Sequence, residues 1–252
     1  RVLQHFRRVG LPDILHAHYA DAGYVGAKLS NLLGIPLVFT GHSLGRVKRQ
    51  RLLDKGLSDE KILQRYNIFE RIEAEENALT AASMVVASTH QEVEEQYKLY
   101  DNYRPGNKVV IPSGTDLQRF TPPQKPIYEY PIFHAMKRFL IHPRKPMILA
   151  ISRADERKNI ATLLRAYAEH PELRKCANLA IVAGNRDDIL TMDPGPREVL
   201  RDLLVEIDKY DLYGSVAFPK RHQPQDVPDL YRIAMRTRGV FVNPALTEPF
   251  GL

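Results

Sequence analysis

The chain has 252 residues and a formal net charge of +6, with 44% hydrophobic and 26% charged residues. That balance excludes disorder as the main state and leaves room for one or two domains with cores of their own. The single cysteine, Cys176, excludes an intrachain disulfide; no Cys/His cluster has structural-zinc spacing, and no apolar run reaches the ~18–20 residues that span a bilayer.

Apolar runs alternate with helical patterns from the start. Residues 13–18 read as a short buried strand. A helix follows over 24–33, stopped at Gly34, a residue suited to a helix C-cap. Residues 35–40 form the next strand. The spacing of Ile62, Tyr66, Phe69, Ile72 and Leu79 predicts one long helix over 58–82, with Asp59 and Glu60 at its positive end. Strands at 84–88 and 109–111 flank a helix over 91–99. The turn Pro112-Ser113-Gly114 closes this half.

Residues 121–146 carry six prolines, at 122, 123, 126, 131, 143 and 146. Proline lacks the ladder donor, so this stretch cannot lie inside a sheet. It reads as a linker with a short helix near 133–140. The β/α alternation then restarts, with strands at 147–151, 179–183, 216–218 and 240–242 and helices over 160–169, 197–209 and 227–235. The expected division is 1–120, a proline-rich linker at 121–145, and 146–252. Each half is expected to be a parallel α/β domain, the two facing a cleft at their strand carboxyl ends.

Most of the candidate chemistry sits where strands end. Gly41 to Lys48 follows the strand 35–40. Its two glycines permit close backbone approach. His42 and Ser43 add polar groups, and Arg46 and Lys48 add charge. Ser152 to Asn159 follows the strand 147–151, and Arg153 with Lys158 can clamp a diphosphate. A solvated charged loop is the alternative at each place. Gly184 to Asp188 suits either a base or ribose edge or an Asx turn. After the strand 240–242 comes Glu248, with the N–H groups of 250–252 at an expected helix start, a favourable anion site. His16 and His18 have strand spacing for a metal, with no third ligand identifiable. Arg71 reads either as a ligand or as a surface ion pair with a helical neighbour.

Taken together, His18-Tyr19-Ala20-Asp21-Ala22-Gly23, Gly41 to Lys48, Arg71-Ile72-Glu73-Ala74-Glu75, Lys145 to Ala150, Gly184 to Ile189, Ile207 to Gly214 and Glu248 to Leu252 cover nearly the whole chain. In that order the chain resembles the retaining GT-B glycosyltransferases, and within them the enzymes that form sucrose 6-phosphate. The resemblance implies two Rossmann-like parallel-sheet domains facing a cleft, both incomplete in this fragment. It implies glucosyl transfer from UDP-glucose to fructose 6-phosphate. On that resemblance, Arg153 and Lys158 hold the donor diphosphate and Glu248 contacts the donor sugar, supported by the amides of Phe250, Gly251 and Leu252. Asn185, Lys220, His222 and Gln225 lie at the donor nucleotide. Ser43, Lys48 and Arg71 hold the acceptor phosphate, and His42 lies at the reacting centre. Retention without a carboxylate nucleophile implies front-face attack, the departing phosphate oxygen taking the acceptor proton. Lys and Arg replace the metal of other glycosyltransferases, so no cofactor is required and Mg2+ is at most stimulatory.

Two parts of the family pattern are absent: a glycine-rich acceptor loop near the N-terminus, and a second glutamate beyond Glu248. The chain begins with Arg1 and stops inside a motif, so it reads as an internal fragment that turns over little alone. The rival readings are a sucrose synthase using free fructose and a non-catalytic sugar-nucleotide-binding partner subunit. Lys48 and Arg71 favour an anionic acceptor. The expected partners are the two substrates and a sucrose-phosphate phosphatase, without nucleic acid or membrane. With no signal peptide visible and one cysteine, a cytoplasmic setting is expected.

Overall fold

The computed structural model describes residues 1–246, which fall into two compact units divided between Gly114 and Thr115. In the first unit α1 (Val2–Val9) precedes β1 (Leu15–His18), α2 (Tyr19–Leu33), β2 (Leu37–Thr40) and α3 (Gly45–Asp54). Then come α4 (Asp59–Tyr66), α5 (Ile68–Ala81), β3 (Ala82–Ala87) and β4 (Lys108–Val110). The strands pair in chain order and in parallel, so all carboxyl ends share one edge. Leu37, Phe39, Ala78, Leu79, Val85 and Tyr97 fill the core, each at most 1% exposed. Helix α2 lies close on β2 because Gly23 has no side chain: a Cβ there would meet the Phe39 ring at 2.6 Å.

The expected long helix over 58–82 is two helices. Asn67 adopts a left-handed conformation at φ 45° and ends α4, its N–H bonded to the Leu63 carbonyl. Asparagine tolerates that conformation better than most residues, which an apolar-spacing argument does not register. An Asn67→Val change is expected to cost about 1–2 kcal/mol in a denaturant titration, and Asn67→Gly much less. The expected helix over 91–99 is a widened π turn at 92–96 followed by a 3-10 turn at 97–99. It turns both Tyr97 and Tyr100 into the core. The apolar spacing predicts neither α1 nor α3, and α3 takes Arg46 and Lys48 out of the loop expected for them.

In the second unit the elements are α6 (Pro131–Lys137), β5 (Met147–Ser152), α7 (Ile160–Ala168), α8 (Pro171–Cys176) and β6 (Asn178–Ala183). They continue with α9 (Pro194–Lys209), β7 (Val216–Ala217), α10 (Asp226–Arg236) and β8 (Val240–Phe241). The parallel sheet has the order β7-β6-β5-β8. Both faces are covered, which is why β5 and β6 are continuously apolar. Ile148, Leu179 and Ile181 pack with α7 and α9, through Leu164, Leu200 and Leu203. Met147, Leu149, Ala180 and Val182 pack with α6 and α10, through Phe133, Met136, Leu230 and Ile233. The stretch expected as a linker thus supplies Tyr130, Ile132, Phe133 and Met136 to this core. No helix among the described residues is long and apolar enough to cross a membrane.

Candidate functional site

Each sheet carries a cluster of candidate residues at its carboxyl edge. In the first unit, Gly41 to Leu44 leaves β2 and α3 begins at Gly45. The fixed point is Glu75 of α5, fully buried. Its carboxylate accepts the Gly45 N–H at 2.9 and 3.1 Å, the Tyr100 hydroxyl and the Arg71 Nε–H at 3.0 Å. A negative charge at the start of α3 also suits the helix dipole. The two glycines serve close approach within the protein. A Cβ on Gly45 would lie 2.8 Å from the Glu75 carboxylate, and one on Gly41 would lie 2.9 Å from the Tyr97 hydroxyl. The Gly41 N–H donates to that hydroxyl at 2.9 Å. Burial pushes both tyrosine hydroxyls up, Tyr97 and Tyr100 alike.

Arg71 is paired with its helical neighbour, as one reading of the sequence expects, but the pair is not a surface one. Its guanidinium also donates to the Ser43 carbonyl, which ties α5 to the loop after β2. Arg71, Ser43, Tyr19, Asp21, Tyr66 and Glu70 are among the residues lining a concavity of 580 Å³. Lys48 lies 4.7 Å over the Tyr66 ring that forms part of this wall. Arg46 serves the packing instead. It pairs with Glu76 at 2.7 Å and with Asp101 at 2.5 Å, holding α3 against α5.

His42, at φ 55°, brings a third imidazole to the two on β1. Its Nε2 lies 2.7 Å from His18 Nδ1, with the rings stacked at 5.0 Å, and Tyr19 is 4.8 Å from it. His16 bonds Thr40 at 2.9 Å. Partial burial, then the neighbouring His18, lowers the pKa of His42 and of His16. No third partner for His16 and His18 is visible in the sequence because His42 is remote along the chain. No group of three or more His, Cys, Asp or Glu among the described residues has a geometry that could hold a metal ion.

In the second unit, Arg153 and Lys158 share the loop between β5 and α7. Asp155 organises it, accepting the Arg157 N–H at 3.0 Å and pairing with the Arg157 guanidinium at 2.8 Å. Hydrogen bonds from Arg157, aided by the charges of Arg157 and Arg153, hold the Asp155 carboxyl down at about 2. Arg153 is exposed, and Lys158 half-buried. Asn159 closes the loop in a left-handed conformation, and its side-chain amide donates to the Pro244 carbonyl at 3.1 Å. The Leu246 N–H donates to the Arg157 carbonyl at 3.0 Å. The chain leading to Glu248 is thereby pinned to the Arg153–Lys158 loop. Glu248, Phe250, Gly251 and Leu252 themselves lie outside the described residues.

Asn185, Lys220 and His222 come together where β6 and β7 end. The Asn185 side chain accepts the His222 N–H at 2.8 Å, and Lys220 Nζ donates to the Asp187 carbonyl at 3.2 Å. Gln225 is exposed at the N-cap of α10. Asp188 makes the Asx turn that one reading of this loop expects, accepting the Leu190 N–H at 2.9 Å. Sequence reasoning misses Glu75, Tyr97 and Tyr100. Glu75 appears there only as the last residue of the Arg71-Ile72-Glu73-Ala74-Glu75 stretch, with no role of its own.

Comparison with known proteins agrees with both sheets. Residues 1–119 match Glycosyltransferase Family 4 and residues 133–252 match Glycosyl transferases group 1. Over 96% of its length the chain is 46% identical to a probable sucrose-phosphate synthase 1 of Oryza sativa and to the sucrose-phosphate synthase of Zea mays. The chain is a sucrose-phosphate synthase homologue of the GT-B glycosyltransferase class. It spans about a quarter of the length of those relatives, 26% in each case. The solved sucrose-phosphate synthase of Thermosynechococcus elongatus is 27% identical, with a TM-score of 0.69 over all of this chain and 54% of that one. HepE of Anabaena, solved with UDP and glucose, shares the fold at 18% identity, with a TM-score of 0.69 over 99% of this chain and 57% of that one.

Proposed function

We propose that the protein transfers glucose from UDP-glucose to fructose 6-phosphate with retention of configuration, giving sucrose 6-phosphate and UDP. The observation that carries this reading is the concavity beside Ser43 and Arg71, with Lys48 over its Tyr66 wall. Arg71 is held there by a buried carboxylate, so its guanidinium is oriented before any ligand arrives. A preset planar cation suits a phosphate ester, which it can meet with two parallel hydrogen bonds. A neutral sugar has no use for it. Homology to sucrose-phosphate synthases supports the same choice of acceptor.

On this reading the second unit binds UDP-glucose. Arg153 and Lys158 face the diphosphate, whose charge grows as the glycosidic bond breaks. Cations fixed in advance stabilise that state more than the ground state. Asn185, Lys220, His222 and Gln225 attend the nucleotide, and Glu248 with the amides of 250–252 attends the glucose. The anomeric carbon loses its bond to the UDP oxygen and gains one to the fructose hydroxyl on the same face. The proton of that hydroxyl goes to the departing phosphate oxygen. His42, kept neutral by its surroundings, then donates or accepts a hydrogen bond without adding charge at the reacting carbon. The phosphorylated product suits a sucrose-phosphate phosphatase partner, in a cytoplasmic setting.

The test is UDP release by the full-length protein. With fructose 6-phosphate the rate is expected to exceed that with fructose by at least about a hundredfold, because only the phosphate ester takes the charge-assisted bonds that a preset guanidinium offers. EDTA is expected to leave it within twofold. Equal rates with both acceptors would indicate a sucrose synthase, and UDP binding without turnover would indicate a non-catalytic sugar-nucleotide-binding subunit.

A further inference from the structure

Arg186 is the one arginine among the described residues that is buried, at 6% exposure, and its ion-pair partners there are none. Its guanidinium instead donates to two backbone carbonyls, Pro219 at 3.0 Å and Phe218 at 3.1 Å, and lies 3.9 Å over the Phe218 ring. Its own backbone N–H donates to the Lys220 carbonyl at 2.9 Å. Burial without a counter-charge lowers its pKa. A guanidinium is costly to bury in that way, so the arrangement calls for a return.

The return lies in what those carbonyls belong to. Strand β7 is two residues long and at the sheet edge, so the chain beyond Ala217 has no further ladder to hold it. Three successive carbonyls, of Phe218, Pro219 and Lys220, are all satisfied by Arg186. The segment they anchor continues into Lys220 and His222, and Asn185, adjacent to Arg186, receives the His222 N–H. Two further cross-links between the loops, Arg221 with Asp187 and Lys220 Nζ with the Asp187 carbonyl at 3.2 Å, are exposed and contribute little. His222 Nδ1 is buried and has no protein partner among the described residues.

We infer that Arg186 is a positioning residue for the donor nucleotide: it sets the loop after β7 so that Lys220 and His222 face a nucleoside diphosphate, and it does not touch the ligand. The inference rests on the donor reading of the second unit. Lysine cannot replace it, because a single ammonium lacks the planar fork that meets two carbonyls while stacking on a ring.

The experiment compares Arg186→Lys with Arg221→Ala in the full-length protein, using UDP as the probe in calorimetry and UDP-glucose in kinetics. Arg186→Lys is expected to weaken UDP binding and raise the KM for UDP-glucose about tenfold or more, with kcat within threefold. The fructose 6-phosphate KM is expected to stay unchanged, and Arg221→Ala to stay within twofold throughout. A folded Arg186→Lys protein with unchanged UDP affinity and KM would overturn the inference. Should Arg186→Lys fail to fold, amide exchange in the wild-type protein decides. UDP is expected to slow exchange at residues 186 and 222, and UDP bound without that slowing would overturn it equally. Failure of the wild-type protein to bind UDP would instead count against the donor reading itself.

Discussion

Replacing Arg153 and Lys158 together by alanine is expected to lower kcat for UDP-glucose at least about a thousandfold, because one preset donor to developing charge is commonly worth a hundredfold or more. The loop that carries them keeps its shape by other means. Asp155 caps the 3-10 turn at 156–158 and is itself ionised down to a pH of about 2. Its structural partner is Arg157, whose guanidinium it holds at 2.8 Å. Asp155, Arg157 and Asn159 hold the loop through bonds that removal of the side chains of Arg153 and Lys158 leaves in place. The double variant is expected to melt within a few degrees of the wild type. Single-turnover rates at saturating UDP-glucose give the clean measure, because they separate the chemical step from binding. Arg157→Ala is the instructive contrast: it frees Asp155, and its loss is expected to appear as reduced loop order and raised KM. If the double variant kept more than a tenth of the wild-type single-turnover rate, these residues would not be the cations that stabilise the leaving diphosphate.

How far the sequence reaches is clear from that same loop. A strand, a charged turn and a helix are legible from an apolar run ending at Ile151, and so is the placement of Arg153 and Lys158 at a strand carboxyl end. Which of the three basic residues serves structure is not. The choice of Arg157 depends on Asp155 reaching the N–H two residues on, a matter of backbone geometry. The first unit shows the same limit more sharply. Periodicity joins α4 and α5 because the row Ile62, Tyr66, Phe69 runs straight across Asn67, whereas the break there buries Ile68 and leaves Phe69 40% exposed. The glycines at 41 and 45 are points of close approach, as their residue type implies, yet what approaches is Tyr97 and Glu75, which lie 56 and 30 residues away in sequence. Contacts of that kind are set by how α5 and the 92–99 turns pack on the sheet. A sequence pattern records the packing face and not the partner.

Glu75 is where that packing carries most, and Glu75→Ala is expected to destabilise the first unit by about 3–5 kcal/mol, the cost of breaking a buried charged pair from one side. Three groups lose their acceptor at once: the Gly45 N–H, the Tyr100 hydroxyl and Arg71 Nε. The first of these is an end group of α3 that no backbone carbonyl of the helix can reach. The second is a hydroxyl that is almost wholly buried, with Tyr100 at 3% exposure. Glu75→Gln keeps the shape and one acceptor oxygen but presents an N–H toward groups that are all donors. It is expected to cost about 1–3 kcal/mol, little enough for a folded protein whose kinetics can be read. Arg71 then loses its counter-charge while keeping its bond to the Ser43 carbonyl. Its guanidinium is no longer fixed, and the KM for fructose 6-phosphate is expected to rise about tenfold while UDP affinity holds. Denaturant titration followed by the tyrosine signal measures the stability, since both Tyr97 and Tyr100 report on this unit. Acceptor titration at saturating UDP-glucose measures the rest. A Glu75→Gln protein with reduced stability and an unaltered acceptor KM would make Glu75 a packing residue only, with Arg71 oriented by Ser43 alone.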